Sequence, residues 1–431
     1  MILSILASLA IYKLAKTRIS AVPVDDVAVF TVLCIGLYTL LPVISWLAQG
    51  GQYIIPVGRL YAMQPTISEV FELTLLGVGP IFGILVVYSF RRTTLAKLNV
   101  KPLPTYNWWI SKKLVLICVA IVISIYVFQS AIKFSFGMSN AESYTDTYAQ
   151  YASLPGGVGQ LLQLTGTALS LSMLVIITAI IMRWNTGGKR WFIIMTVFVL
   201  LSFEVGFSRT QLFYFILLTF LLYHMFVQPV TSLGKAFLFF SFVFVSFLLL
   251  GIRGDGLVSF AALPLGEFDT LWGNGVHLLR ERDGGSLNVP LAVFLNEVFN
   301  FIPSQFLPYE KTDMANWYLD SYYPEFKDKG GGLMFGSISR AIVGFGLAES
   351  FLRGVILGLL SIQLKKNLHK YHSCWSLIIF LLIYMQSYNF VRLGNFSSIT
   401  GLLGLTLFVV LAIRFLNRVL PSKKHPNILG V

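Results

Sequence analysis

The sequence predicts an all-α, polytopic membrane protein, and three observations carry that prediction. Apolar side chains make up 56% of the 431 residues and charged ones only 12%, with a mean hydropathy of +0.76. A soluble domain cannot bury that much apolar surface, so part of it must face lipid. Apolar runs of roughly 17–25 residues recur along the chain, the length a helix needs to cross a bilayer. None shows the ~10-residue alternation of an outer-membrane barrel strand. The whole chain, 1–431, reads as a single integral membrane domain.

Eleven spans are expected, at about 2–14, 27–49, 67–90, 114–136, 157–182, 191–207, 210–229, 236–252, 345–364, 374–390 and 398–416. The tract 191–229 would be about 58 Å long as one helix, nearly twice the hydrocarbon thickness of roughly 30 Å. It must therefore fold back, and Gly206-Phe207-Ser208-Arg209 is its polar break.

Charge sets the expected orientation, because cytoplasmic loops are enriched in Lys and Arg. Alternate loops hold Lys13, Lys16, Arg18, Arg91, Arg92, Lys97, Lys101, Lys112, Lys113, Arg183, Lys189, Arg190, Lys235, Lys365, Lys366, Lys370, Arg414, Arg418, Lys423 and Lys424, against Asp25 and Asp26 alone. This set is expected in the cytoplasm, with the N-terminus outside and the C-terminus inside. The net charge of +13 is then mainly a topology signal and requires no nucleic-acid partner. The opening "MILSILASLAIYKLAK" carries its lysines after the apolar stretch and reads as a short retained anchor. Cys34, Cys118 and Cys374 fall in or at the edge of apolar spans without metal-ligand or CxxC spacing, as small core residues do.

The longest non-spanning stretch, 253–345, is expected outside the cytoplasm and is too long for a passive linker. Within it, "EFDTLWGNGVHLLRER" (267–282) and "VPLAVFLNEVFNFIP" (289–303) read as amphipathic helices that lie on the membrane or dip into it. "GGGLMFGSISRAIVGFG" (330–346) reads as a glycine-rich turn leading into a partly embedded, re-entrant helix. The loop at 50–66 is expected on the same side.

Arginines recur at the outer helix ends: Arg209, Arg253, Arg340 and Arg392. A planar guanidinium binds phosphate oxygens bidentately, which suits a pyrophosphate held at a membrane surface. The bland alternative for each is snorkelling or pairing with an acid, as Arg253 with Asp255. Arg280 and Arg282 sit in "RERD", a pattern common on solvated faces, and Lys311 with Tyr309 lies in "PYEKTD". Candidate proton acceptors are Asp255, Glu310, Glu349 and Glu204. A base within reach of an attacking hydroxyl contributes about 10²–10⁴-fold. Glu349 stands in the apolar "GFGLAESFLRG", where an ionisable group suggests function, or simply pairs with Arg353 at i, i+4. His277 has no second ligand at metal spacing, and neither a phosphate-binding loop nor GxSxG occurs.

The hairpin "GFSRTQLFYF", the following span ending in "RGDG", the late loop with "IPSQFLPYEK" and then "GGGLMFGSISRAIVGFGLAESFLRG" resemble the Wzy-type O-antigen polymerases over about residues 190–400. Members of that family often carry an acid where this chain has Arg340. The resemblance implies a GT-C-like, metal-independent glycosyltransferase of the bacterial inner membrane that needs no cofactor. It would join undecaprenyl-pyrophosphate-linked repeat units on the periplasmic face, with membrane lipid around it and a chain-length regulator as candidate protein partner. Arg209, Arg253 and Arg392 would then stabilise the leaving pyrophosphate, with Asp255 or Glu349 as base. Arg392, Arg340, Lys311, Arg280, His277 and Tyr309 would contact substrate. The alternatives are an O-antigen ligase of similar architecture and a lipid-linked oligosaccharide flippase. The flippase predicts charges near the middle of spans and pseudo-symmetric halves.

Overall fold

Long apolar helices set the architecture, in a computed structural model that describes residues 27–48, 50–51, 53–57, 59–90, 112–135, 158–184, 187–201, 209–228, 267–302, 304–325, 335–371, 374–397, 399–401 and 404. Among the described residues five helices are long and apolar enough to cross a membrane: α1 (Val27–Ala48), α2 (Ile67–Phe90), α3 (Lys112–Ser135), α11 (Gly346–Tyr371) and α12 (Cys374–Leu393). Between them run α4 (Val158–Met182), α5 (Gly188–Leu201) and α6 (Arg209–Phe226). The chain is thus a helical membrane protein. Helix α11 runs seven residues beyond the expected end at 364; the fold-back expected at 206–209 falls almost wholly outside the described residues, of which Arg209 is the first in α6. The spans expected at 2–14 and 236–252, and most of 398–416, lie outside the described residues.

A two-stranded hairpin, β1 (Tyr53–Val57) paired antiparallel with β2 (Arg59–Met63), joins α1 to α2 where a plain loop was expected. The side of the bundle that carries it is called the hairpin end below. Helix α2 starts there on a capping box: Glu69 accepts from the Thr66 N–H at 2.6 Å, and Thr66 Oγ1 accepts from the Glu69 N–H at 3.2 Å.

Helices α2 and α11 run parallel with their backbones almost touching. A Cβ added to Gly83 would lie 2.1 Å from the Phe351 carbonyl oxygen, and one on Gly354 would lie 1.9 Å from that of Pro80. Small residues at four-residue spacing, Gly79 and Gly83 against Ser350, Gly354 and Gly358, permit this approach. In an apolar medium, close packing replaces the hydrophobic drive that water would supply.

Two prolines interrupt spans, Pro42 in α1 and Pro80 in α2. Each removes an N–H and so frees the carbonyl four residues earlier. Neighbouring helices fill both vacancies: Ser350 Oγ donates to the Leu76 carbonyl at 2.6 Å, and Trp272 Nε1 donates to the Tyr38 carbonyl at 3.0 Å. Both bonds satisfy groups that lipid cannot.

The second bond belongs to α7 (Glu267–Asp283), the first helix of the long loop. Instead of lying on the membrane surface, α7 inserts among α1, α2 and α10 (Gly336–Val343), with Trp272, Val276 and Leu278 fully buried. Its C-terminal end stays at the hairpin end, where Arg280 clasps Glu69 with Nε at 2.8 Å and Nη2 at 3.2 Å, and also donates to the Gln64 carbonyl at 2.9 Å. Helices α8 (Leu291–Phe299) and α9 (Met314–Tyr322), with a 3₁₀ turn at Ser304–Phe306 between them, complete the described part of the loop.

Replacing Trp272 by Phe removes the indole donor from the Tyr38 carbonyl and is expected to cost about 1–3 kcal/mol. In a Pro42→Ala background the helix regains its own donor to that carbonyl, so the Trp272→Phe penalty should shrink. Thermal unfolding of the four proteins in detergent measures this, and an equal penalty in both backgrounds would contradict the role given to Pro42.

Candidate functional site

Four ionisable side chains meet in the interior: Glu297 of α8, Arg340 of α10, and Glu349 with Arg353 of α11. Each is less than a tenth exposed. Arg353 makes a two-pronged contact with Glu297, Nη1 to Oε1 at 2.6 Å and Nη2 to Oε2 at 2.7 Å. It also reaches back one turn to Glu349 Oε1, from Nε at 2.9 Å and Nη2 at 2.8 Å. Arg340 donates to Glu297 Oε2 from Nε at 3.4 Å and Nη2 at 3.3 Å. Its Nη1 lies 2.8 Å from Glu349 Oε1, close enough for an ion pair but off the hydrogen-bond direction. Two positive and two negative charges therefore cancel within one cluster.

The lone pairs left over are filled by backbone. The Phe396 N–H donates to Glu297 Oε1 at 2.6 Å, and the Phe345 N–H donates to Glu349 Oε2 at 2.9 Å. The guanidinium of Arg340 sits over the Phe294 ring at 4.5 Å, and that of Arg353 over Phe396 at 5.1 Å. Glycine is required beside them: a Cβ on Gly344 would lie 1.6 Å from Glu349 Oε2. Gly394, at φ +74°, brings its carbonyl to 3.4 Å from Arg353 Nη1.

The depth of the cluster differs from the sequence expectation of charges near span ends. Because Gly79 and Gly83 of α2 abut Ser350 and Phe351–Val355 of α11, Glu349 and Arg353 lie level with the middle of α2, a helix of 24 residues. Residues 336–345 and α8 descend with them, so the long loop is folded into the bundle. Of the stretch 330–346, α10 is buried over most of its length.

The other predicted residues are distributed around this centre. Lys311 Nζ donates to the Asn300 carbonyl at 2.7 Å, neutralising the C-terminal end of α8. Thr400 Oγ1 donates to the Glu297 carbonyl at 2.8 Å. The Tyr309 hydroxyl is buried without a hydrogen-bond partner among the described residues. Arg392 is half-buried near the end of α12, two residues before Gly394. Arg280 is committed to Glu69, whose hydrogen bond lifts its pKa above the ordinary value. His277 Nδ1 is 2.9 Å from the Tyr318 hydroxyl, its ring packs edge-on to Tyr322, and Nε2 is 3.8 Å from Glu281. Burial holds the His277 pKa below its usual 6.5, against the pull of Glu281, which keeps the ring neutral near pH 7. Arg209 opens α6, while Arg253 and Asp255 lie outside the described residues.

Sequence reasoning missed Glu297. The signal was present: between Asp283 and Glu310, Glu297 is the only charged side chain. A lone carboxylate in such a tract needs a buried cation. For Glu349 the sequence left two readings open, a base or a partner of Arg353. Both of its oxygens are engaged, and the i, i+4 pair with Arg353 is present.

Glu297→Ala leaves two buried guanidiniums sharing one carboxylate and is expected to destabilise by about 3–5 kcal/mol. The exposed Glu310→Ala should stay within about 0.5 kcal/mol of the parent. Melting curves in detergent distinguish the two, and similar small effects for both would contradict the cluster's structural weight.

No protein-family model, curated protein or solved structure matches the chain.

Proposed function

We propose that the chain is a membrane glycosyltransferase that lengthens a surface polysaccharide by joining lipid-pyrophosphate-linked repeat units on the extracytoplasmic face. The observation that carries this reading is the placement of the "SISRAIVGFGLAESFLRG" stretch. It folds as α10, a glycine turn and the head of α11, locking the long loop to the spans through Glu297. Such a locked, water-poor frame suits a site that must hold a lipid-linked donor and a glycan acceptor in one orientation.

In the proposed reaction the acceptor hydroxyl oxygen bonds to the donor's anomeric carbon. The bond from that carbon to the pyrophosphate oxygen breaks, and the lipid pyrophosphate leaves with the electron pair. Asp255 takes the hydroxyl proton, since both carboxylate oxygens of Glu349 are already engaged by Arg340, Arg353 and the Phe345 N–H. Arg209, Arg253 and Arg392 meet the charge that develops on the pyrophosphate. Arg340 and Arg353, already paired, act as positioning residues.

A second reading has its own support. Paired charges near the middle of spans are what a transporter of the same lipid-linked glycan would carry. Proteoliposomes given lipid-linked repeat units separate the two: growth of the glycan supports the polymerase, and movement across the bilayer without growth supports the transporter. In cells, Arg209→Ala and Arg253→Ala should each leave single repeat units unpolymerised, with the protein still made and inserted. Long-chain glycan at the parental level in both variants would overturn the polymerase reading. A ligase differs again, because its loss leaves no repeat unit attached to the lipid A core.

A further inference from the structure

Helix α8 is inside out. Its polar side chains Asn296 and Glu297 point into the protein with Val293, whereas Leu291 and Val298 are 70% and 52% exposed and Phe299 is also exposed. A helix bathed in water shows the opposite arrangement. In the turn that follows, Phe301 is exposed and Phe306 is 79% exposed, beside the uncharged and likewise exposed Ser304 and Gln305. No exposed charge interrupts the surface from Asp283 to Glu310, since Glu297, the one charged residue in that interval, is consumed by Arg340 and Arg353.

Two neighbours fix the depth of this surface. Glu297 pairs with Arg353, which is level with the middle of α2. Further along, Asn300 lies against Gly401, and Phe301 packs so closely on Gly404 that a Cβ there would fall 2.3 Å from its ring. Gly404 stands seven residues after Ser397, about 10 Å of helical rise into the last apolar tract. On α11, beside Arg353, Leu352 and Ile356 are exposed on a helix long and apolar enough to span, and Phe345 just before that helix is 84% exposed.

We propose that residues 289–307 form a re-entrant element whose outward face is covered by lipid hydrocarbon, well below the headgroups of the leaflet at the hairpin end. The face has the polarity of a lipid contact, lies at the depth of span interiors and adjoins a lipid-facing helix. An apolar surface of this kind in water would be a liability. The element carries Glu297 to its two arginines from the side, so it both closes the cluster and shields it from lipid. This assignment holds whichever reaction the protein performs.

The test uses the full-length protein in vesicles of phosphatidylethanolamine and phosphatidylglycerol. Nitroxide labels go on Val298→Cys, Phe306→Cys and, as an aqueous control, the exposed Asn288→Cys, with the native cysteines replaced. At 298 and 306 collisions with oxygen should exceed those with a water-soluble nickel chelate, at a ratio several-fold above that at 288. Preference for the nickel chelate would place the face in water, and exclusion of both reagents would place a protein partner on it; either overturns the proposal. As a second measurement on the unsubstituted protein, a carbene reagent dissolved in the bilayer should label the peptide between Asp283 and Glu310. An unlabelled peptide, with the spans labelled, would contradict lipid contact.

Discussion

A carboxylate inside an apolar bundle has to find its cations within the protein, and Glu297 imposes that constraint on everything around it. Its two oxygens accept from Arg353, Arg340 and the Phe396 N–H. Those partners come from α11, α10 and the segment after α12, so satisfying one side chain draws three parts of the chain to α8. Desolvation of each charge costs several kcal/mol unless paired and hydrogen-bonded. The arrangement therefore specifies position more than it adds stability: a shifted loop would strand charges that no solvent reaches.

The same logic governs the backbone. Pro42 and Pro80 each leave a span carbonyl without its helical donor, and each vacancy is filled from a particular place, Trp272 on α7 and Ser350 on α11. Lipid offers no substitute donor. The prolines thus act as sockets that accept one partner, and they do so in the middle of α1 and α2. Close approach of α2 and α11 through facing glycines then sets the depth at which Glu349 and Arg353 stand. Packing, backbone satisfaction and charge pairing all point to the same placement of the loop, and that agreement across levels is what makes one arrangement win.

Much of this was legible in the sequence. Hydropathy placed α1, α2, α3 and α12 closely, because spans are read from local composition alone. The break that length arithmetic puts before Arg209 lies outside the described residues. The insertion of α7 was only half legible: "EFDTLWGNGVHLLRER" reads as an amphipathic helix that lies on the membrane or dips into it, whereas its bond to the freed Tyr38 carbonyl some 230 residues earlier is a partner no local pattern shows. Arg340 and Glu349 were noticed as isolated ionisable groups, but their mutual pairing through Glu297 and Arg353 is a long-range fact. Arg280 read as a solvated charge or a substrate contact, yet its bidentate clasp on Glu69 joins positions 211 residues apart.

Glu297 and Arg353 act as one unit that holds the loop in the bundle. A double-mutant cycle with Glu297→Gln and Arg353→Met, read by thermal unfolding in detergent, measures that directly. If they do, the double variant is markedly more stable than the sum of the single losses allows, with a coupling of about 2–3 kcal/mol. Losses that add to within about 0.5 kcal/mol would show two independent side chains and contradict it.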